Sequence, residues 1–193
     1  MKSLPLVLAS ASPQRKALLF GLGLEFLVDP SALNESDHTE HDPVKRSLAL
    51  AEMKARDVAK RYPEALVIGC DTLVVAPDET LLEKPVDEND ARRMLQLQSG
   101  GVSIVHSGLA LVTPDAKCVS DVSSSCVTFK KLSEADIDWW VSTGEWQNRS
   151  GSFQIDGRGQ LLISNLEGDW SSVVGFPVFL FGELLKRAGV SLL

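Results

Sequence analysis

Tyrosine occurs once in this chain, histidine and cysteine three times each, and all aromatic residues together make up 6% of its 193 positions. The cysteines, Cys70, Cys118 and Cys126, are odd in number and far apart. That pattern excludes a disulfide framework and a clustered zinc site, and it suits a reducing cytoplasm. No segment approaches the roughly 20 consecutive apolar residues of a membrane span, and the apolar run after Met1-Lys2-Ser3 is too short for a signal peptide. A basic stripe is also missing. The net charge of −7 argues against nucleic acid or an anionic membrane as a partner, while leaving room for a local basic pocket that holds one small polyphosphate. Internal repeats, low-complexity tracts and linkers are absent, so the expectation is a single domain over residues 1–193, shaped as two lobes around one cleft.

The residues that are present alternate between strand and helix signals. Leu4–Leu8 is a short apolar run leading into Ala9-Ser10-Ala11-Ser12, and Pro13 to Phe20 then reads as a helix stopped at Gly21-Leu22-Gly23. Glu25–Val28 reads as extended. Asp42-Pro43 is a cap and first-turn proline for a helix carrying Val44, Leu48, Ala51, Ala55, Val58 and Tyr62 at helical spacing, ended by Pro63. Leu66–Val75 is apolar enough for a strand buried on both faces. A helix opens over Pro85–Asp90 and closes at Ser99-Gly100-Gly101. Val102–Val112 and Lys117–Phe129 read as strands around Thr113–Ala116. Ser133 with Asp136 resembles a capping box, Leu161–Ile163 is a short strand, and Pro177–Ala188 is a helix closed by Gly189. The pattern gives an α/β protein with a mixed, twisted sheet and flanking helices.

Three features carry chemistry. The strand that enters a helix start at Ser10–Arg15 gathers backbone N–H groups, hydroxyls and cations, which is how a phosphate is held; a plain capped helix with surface cations has the same sequence. Asp71 interrupts an apolar strand and shares a face with Val67, Gly69, Leu73 and Val75, with Gly69 leaving room for something to approach. Its carboxylate is a metal ligand, a general base or the partner of a buried cation. Lys54, at the border of a buried helical stripe, and Lys84, before Pro85, either complete such a site or are solvated surface groups, and Glu35 in an acidic loop could join Asp71 around a divalent cation. Other signals fail: there is no dinucleotide fingerprint, no GK[ST] phosphate loop, no ligand support for His38 and His41, and no nucleophile elbow beside His106. Trp139, Trp140 and Trp146 suit packing or a dimer contact rather than base stacking.

The segments LASASPQRKALL, Asn34-Glu35, Leu50–Ala55, Ile68-Gly69-Cys70-Asp71-Thr72, Lys84-Pro85, Ser99-Gly100, Ser150–Phe153, Gly157-Arg158-Gly159 and Val173–Pro177, in that order, resemble the Maf family of nucleotide pyrophosphatases. The resemblance implies an inosine triphosphatase-like architecture with a central cleft, often in a homodimer. It also implies hydrolysis of a nucleoside triphosphate to the monophosphate and pyrophosphate with a divalent metal, Mg2+ or Mn2+. By position, Ser10, Arg15, Lys54 and Lys84 correspond to phosphate-binding groups, Asp71 to the proton acceptor, and Glu35 to a catalytic partner that shares the metal with Asp71.

The departures fall on base specificity, at Gln14, Thr72 and Asp156. Members acting on dTTP and UTP usually have arginine, threonine and glutamine there. Those acting on 7-methyl-GTP carry a bulky residue, glutamine and glutamate. Thr72 leans to the pyrimidines, Asp156 resembles the methylguanine type, and Gln14 fits neither. The resulting expectation is a nucleoside triphosphate pyrophosphatase with a slight lean to dTTP/UTP, and with a 7-methyl-GTP pyrophosphatase and a non-catalytic nucleotide-binding regulator of cell division as rivals. Its physiological role is either pool sanitation or control of division.

Overall fold

In the computed structural model of the protein, residues 4–34 and 39–191 are described. Their elements are β1 (Leu6–Leu8), α1 (Pro13–Gly21), β2 (Leu27–Val28), α2 (Pro43–Ala59), β3 (Leu66–Val75), β4 (Leu81–Leu82), α3 (Glu88–Gln98), β5 (Val102–Val112), β6 (Cys118–Phe129), α4 (Glu134–Ser142), β7 (Ile163–Glu167), α5 (Trp170–Val174) and α6 (Val178–Ala188). The seven strands form one mixed sheet in the order β2-β1-β3-β5-β6-β7, with β4 paired to β3 off that path. Strand β1 is parallel to both β2 and β3, whereas β4 on β3 and β7 on β6 are antiparallel.

The chain divides into two compact units. The first contains residues 1–71, 107–123 and 175–193, and the second residues 72–106 and 124–174. In the first unit β1, β3 and β5 are covered on both faces, and their side-chain alternation sorts their residues between two cores. Leu6, Leu8, Leu66, Ile68, Cys70, Leu109 and Leu111 pack with α1 and α6 through Leu19, Phe181 and Leu184. Val7, Ala9, Val67, Ala110 and Val112 pack with α2 through Ala51, Ala55 and Val58. The second unit has one core, in which Val74, Val105, Val127 and Phe129 meet Met94 and Leu95 of α3 and Ile137, Trp140 and Val141 of α4.

The helix starts follow their local chemistry. Ser12 caps α1 with Pro13 in the first position, and Asp42 caps α2, accepting from the backbone N–H of Val44 and Lys45. Ser133 and Asp136 form a reciprocal capping box on α4, and Gly189 closes α6 in the left-handed conformation at φ 71°.

Four sequence expectations shift. The extended Glu25–Val28 piece shrinks to Leu27–Val28, an exposed edge. Helix α2 ends at Ala59, before Tyr62 and Pro63. Its buried stripe runs through Ser47, Ala51, Ala55 and Val58 rather than Val44, which is 40% exposed, because small residues allow the helix backbone to lie close to the sheet. Finally, Leu161 and Leu162 complete a 3-10 helix, and the strand begins at Ile163, on an edge that lacks a continuous apolar run.

Candidate active site

The first unit carries a polar cluster where β1 and β3 meet α1 and α2. Strand β1 stops while its parallel neighbour β3 continues: the register Leu8↔Ile68 sets Ser10, just past the end of β1, level with Cys70. The chain turns there into α1. Ser10, only 7% exposed, has a hydroxyl oxygen that accepts from the backbone N–H of Ser12 (3.2 Å) and from Arg15 Nη1 (3.1 Å). With both acceptor positions used, the Ser10 hydroxyl keeps its hydrogen to donate. Arg15 Nε donates to the carbonyl of Gly175 at 2.9 Å, so the guanidinium is anchored from two sides. Ser12 Oγ donates to Gln14 Oε1 at 3.1 Å, which turns the Gln14 side chain back onto the cap.

Asp71 occupies the face of β3 that packs against α2. Lys54 Nζ meets Asp71 Oδ1 at 2.6 Å, with side chains only 12% and 8% exposed. Asp71 Oδ2 is also buried, and it has no hydrogen-bond partner among the described residues. A buried ion pair adds little net stability over apolar packing, and an unsatisfied buried acceptor costs roughly 1–3 kcal/mol. Such an arrangement is expensive for the fold and useful for chemistry.

The alignment of Lys54 with Asp71 has a backbone cause. Gly69 does not leave room for a ligand, as its sequence position suggested; α2 fills that space. A Cβ at Gly69 would stand 2.1 Å from the Ala51 carbonyl oxygen and 2.7 Å from Ala55 N, and one at Gly108 would stand 2.2 Å from the Ser47 carbonyl oxygen. The small residues Ser47, Ala51 and Ala55 thus rest on two glycines, and Lys54, flanking that stripe, reaches Asp71 two residues along from Gly69.

The structure therefore brings Ser10, Gln14 and Arg15 into one hydrogen-bonded start of α1, and Lys54 and Asp71 into one ion pair. Lys84, Thr72 and Asp156 belong to the second unit. Lys84 is exposed, just before the α3 cap at Asp87. The Thr72 carbonyl accepts from Ser150 Oγ at 3.3 Å. Asp156 precedes the 3-10 helix Gly157–Leu162, its carboxylate makes no capping bond, and its carbonyl accepts from Gly159 N at 3.2 Å. Glu35 and His38 lie outside the described residues. Among the described residues no three His, Cys, Asp or Glu side chains gather as a metal cage. A metal that keeps several waters and needs few protein ligands still fits Asp71, because the unpartnered Oδ2 is a hard oxygen donor of the type magnesium and manganese take.

Other candidates resolve into packing. Trp140 and Trp146 are buried and donate through their indole N–H groups to the carbonyls of Ser152 and Val141, while Trp139 is 36% exposed. His106 Nδ1 lies 2.8 Å from Ser124 Oγ on the neighbouring strand. Sequence reasoning missed the Gly175 carbonyl that anchors Arg15. Its only signal was the motif Val173–Pro177, to which no role was attached.

The family model described as Maf-like protein matches residues 5–188. The chain belongs to the Maf-like family. Among relatives of this Maf-like chain are proteins named dTTP/UTP pyrophosphatase from Deinococcus radiodurans (43% identical, 96% of this chain and 93% of that one) and Moorella thermoacetica (43%, 96% and 95%). The protein of that name from Methanosarcina barkeri is 41% identical over 97% of this chain and 95% of its own. A solved structure described as a nucleoside-triphosphatase or dITP/XTP pyrophosphatase from Mycobacterium abscessus overlaps 67% of the Maf-like chain and 76% of its own, at 16% identity and a TM-score of 0.46.

Proposed function

We propose that this chain hydrolyses a nucleoside triphosphate to the nucleoside monophosphate and pyrophosphate, with dTTP and UTP as preferred substrates. The observation that carries the reading is the split environment of Asp71. Lys54 occupies Oδ1 and leaves buried Oδ2 to accept a proton from water as that water's oxygen attacks phosphorus. The bond broken is the one linking the monophosphate to the pyrophosphate, which leaves. Arg15, Ser10, Lys54 and Lys84 supply donors and positive charge to the phosphates, where charge builds during the reaction. A divalent cation, Mg2+ or Mn2+, would be held by Asp71 together with Glu35, and it supplies charge neutralisation and water activation when bound.

The substrate preference rests on the relatives' names and on two residues. Thr72 is the residue expected of pyrimidine-specific members. The bond from Ser12 to Gln14 Oε1 directs the amide N–H donors of Gln14 away from the cap, a match for the O2 and O4 acceptors of thymine and uracil. Asp156 favours a second reading, 7-methyl-GTP, because a carboxylate accepts from the N1 and N2 donors of guanine. Pyrophosphate release measured across dTTP, UTP, CTP, GTP and 7-methyl-GTP separates the two. Turnover confined to the methylated purine overturns the pyrimidine preference.

Pyrophosphate release in the same assay would exclude a non-catalytic nucleotide sensor in cell division. Asp71→Asn is expected to abolish hydrolysis and leave nucleotide binding nearly intact, and undiminished turnover would remove Asp71 from its role. A reducing cytoplasm as the location is supported by three cysteines in the free thiol form. We also propose a homodimer, which sedimentation of the purified chain tests. Whether the activity sanitises the nucleotide pool or controls division is a matter for deletion phenotypes.

A further inference from the structure

We propose that Cys70 is a positioning residue for Arg15, acting through the carbonyl oxygen of Gly175. This rests on the reading of Arg15 as a phosphate-binding group. The Gly175 carbonyl receives two donors from distant parts of the chain, Arg15 Nε at 2.9 Å and Cys70 Sγ at 3.0 Å, and the Arg15 guanidinium also lies beside the Cys70 sulfur. A carbonyl oxygen has two lone pairs, and filling both from different directions fixes the plane of its peptide. That peptide needs fixing: Gly175 sits at φ +120°, a region that glycine reaches because it has no Cβ, and without a Cβ the backbone there is less restrained.

Cys70 is suited to the task. Its side chain is fully buried on the α1 and α6 side of β3, between Gly69, clamped against α2, and Asp71. One strand thereby serves both halves of the polar cluster. Asp71 points to Lys54 on one face, and Cys70 steadies the anchor of Arg15 on the other. Without the thiol, the Gly175 carbonyl keeps one donor and its peptide can rotate, and the Arg15 fork moves with it.

The test is a double-mutant cycle on the full chain with dTTP as substrate. Cys70→Ala is expected to lower kcat/KM about fivefold, mainly by raising KM, as befits one weakened hydrogen bond. Cys70→Ser, which retains a donor, is expected to restore most of that loss. In an Arg15→Ala background, Cys70→Ala should change kcat/KM less than about twofold, because its route of action is gone. An equal loss in both backgrounds, or a Ser variant as poor as Ala, overturns the proposal. A second readout needs no turnover: solvent exchange of the Arg15 Nε–H, followed by NMR, should quicken in Cys70→Ala and not in Cys70→Ser. Unchanged exchange also overturns the proposal, whereas a wild-type chain that releases no pyrophosphate overturns only the proposed activity.

Discussion

Gly69→Ala isolates the contact that sets the position of Lys54. The added Cβ would lie 2.1 Å from the Ala51 carbonyl oxygen, 2.7 Å from Ala55 N and 2.8 Å from Ala55 Cβ. Two of the three obstructing atoms are helix backbone, so no side-chain rotation relieves the clash. Carbon and oxygen atoms in ordinary contact stand more than 3 Å apart, so α2 must retreat by roughly 1 Å at this point. Overpacking of this kind costs about 1–3 kcal/mol, and a chain of this size loses about 2–4 °C of Tm per kcal/mol. The expected Tm drop is about 2–12 °C. Because Lys54 rides on α2, its 2.6 Å contact with Asp71 lengthens as the helix retreats. A 1 Å displacement of a catalytic group costs up to about 100-fold in rate, so kcat should fall well beyond what the stability loss explains at a temperature where the variant is folded. Thermal denaturation and pyrophosphate release on the same preparation read both effects. A variant with wild-type Tm and wild-type turnover would refute the claim that helix and strand are in backbone contact here.

Gly182→Ala is the opposite case. It lies inside α6 with nothing within 4 Å of an added Cβ, so it should stabilise the chain by about 0.5–1 kcal/mol in urea denaturation, with no change in kcat. The Lys130 and Ser133 hydrogen bonds hold the Asp136 carboxyl well below its ordinary value of 3.8. A folded-state pKa below the unfolded one means that this stabilisation is complete above about pH 4 and is lost as pH falls further. Wild type should therefore lose stability across that acid range more steeply than Asp136→Asn, as followed by fluorescence of the buried Trp140 and Trp146.

Much of the fold was legible in the sequence because its signals are local. The strands Leu66–Val75 and Val102–Val112 match residue for residue, since both are runs rich in apolar and β-branched residues and are bounded by turn residues. The caps at Ser12, Asp42 and Ser133 lie within a few residues of the N–H groups they satisfy. Strand β7 was misplaced because Ile163-Ser-Asn-Leu-Glu167, on a sheet edge, has no such run. The candidate site was legible as a set of residues but not as a geometry. Nothing near Gly69 announces that Ala51 and Ala55 lie against it, and nothing near Arg15 announces an anchor at Gly175. Both contacts are made by the tertiary fold.

The seating of α2 on Gly69 and Gly108 also limits how this helix can change. Cores filled by large side chains absorb substitutions by repacking, with one residue growing as another shrinks. A seam built from backbone and the smallest side chains has nothing left to shrink. Ser47, Ala51, Ala55, Gly69 and Gly108 form a stop against which the helix is seated, and the reach of Lys54 is measured from that stop. Its distance to Asp71 is thus a property of the main chain, insulated from drift in the surrounding side chains. A variant that enlarges any of the five should be rescued by moving the helix, not by trimming a neighbour.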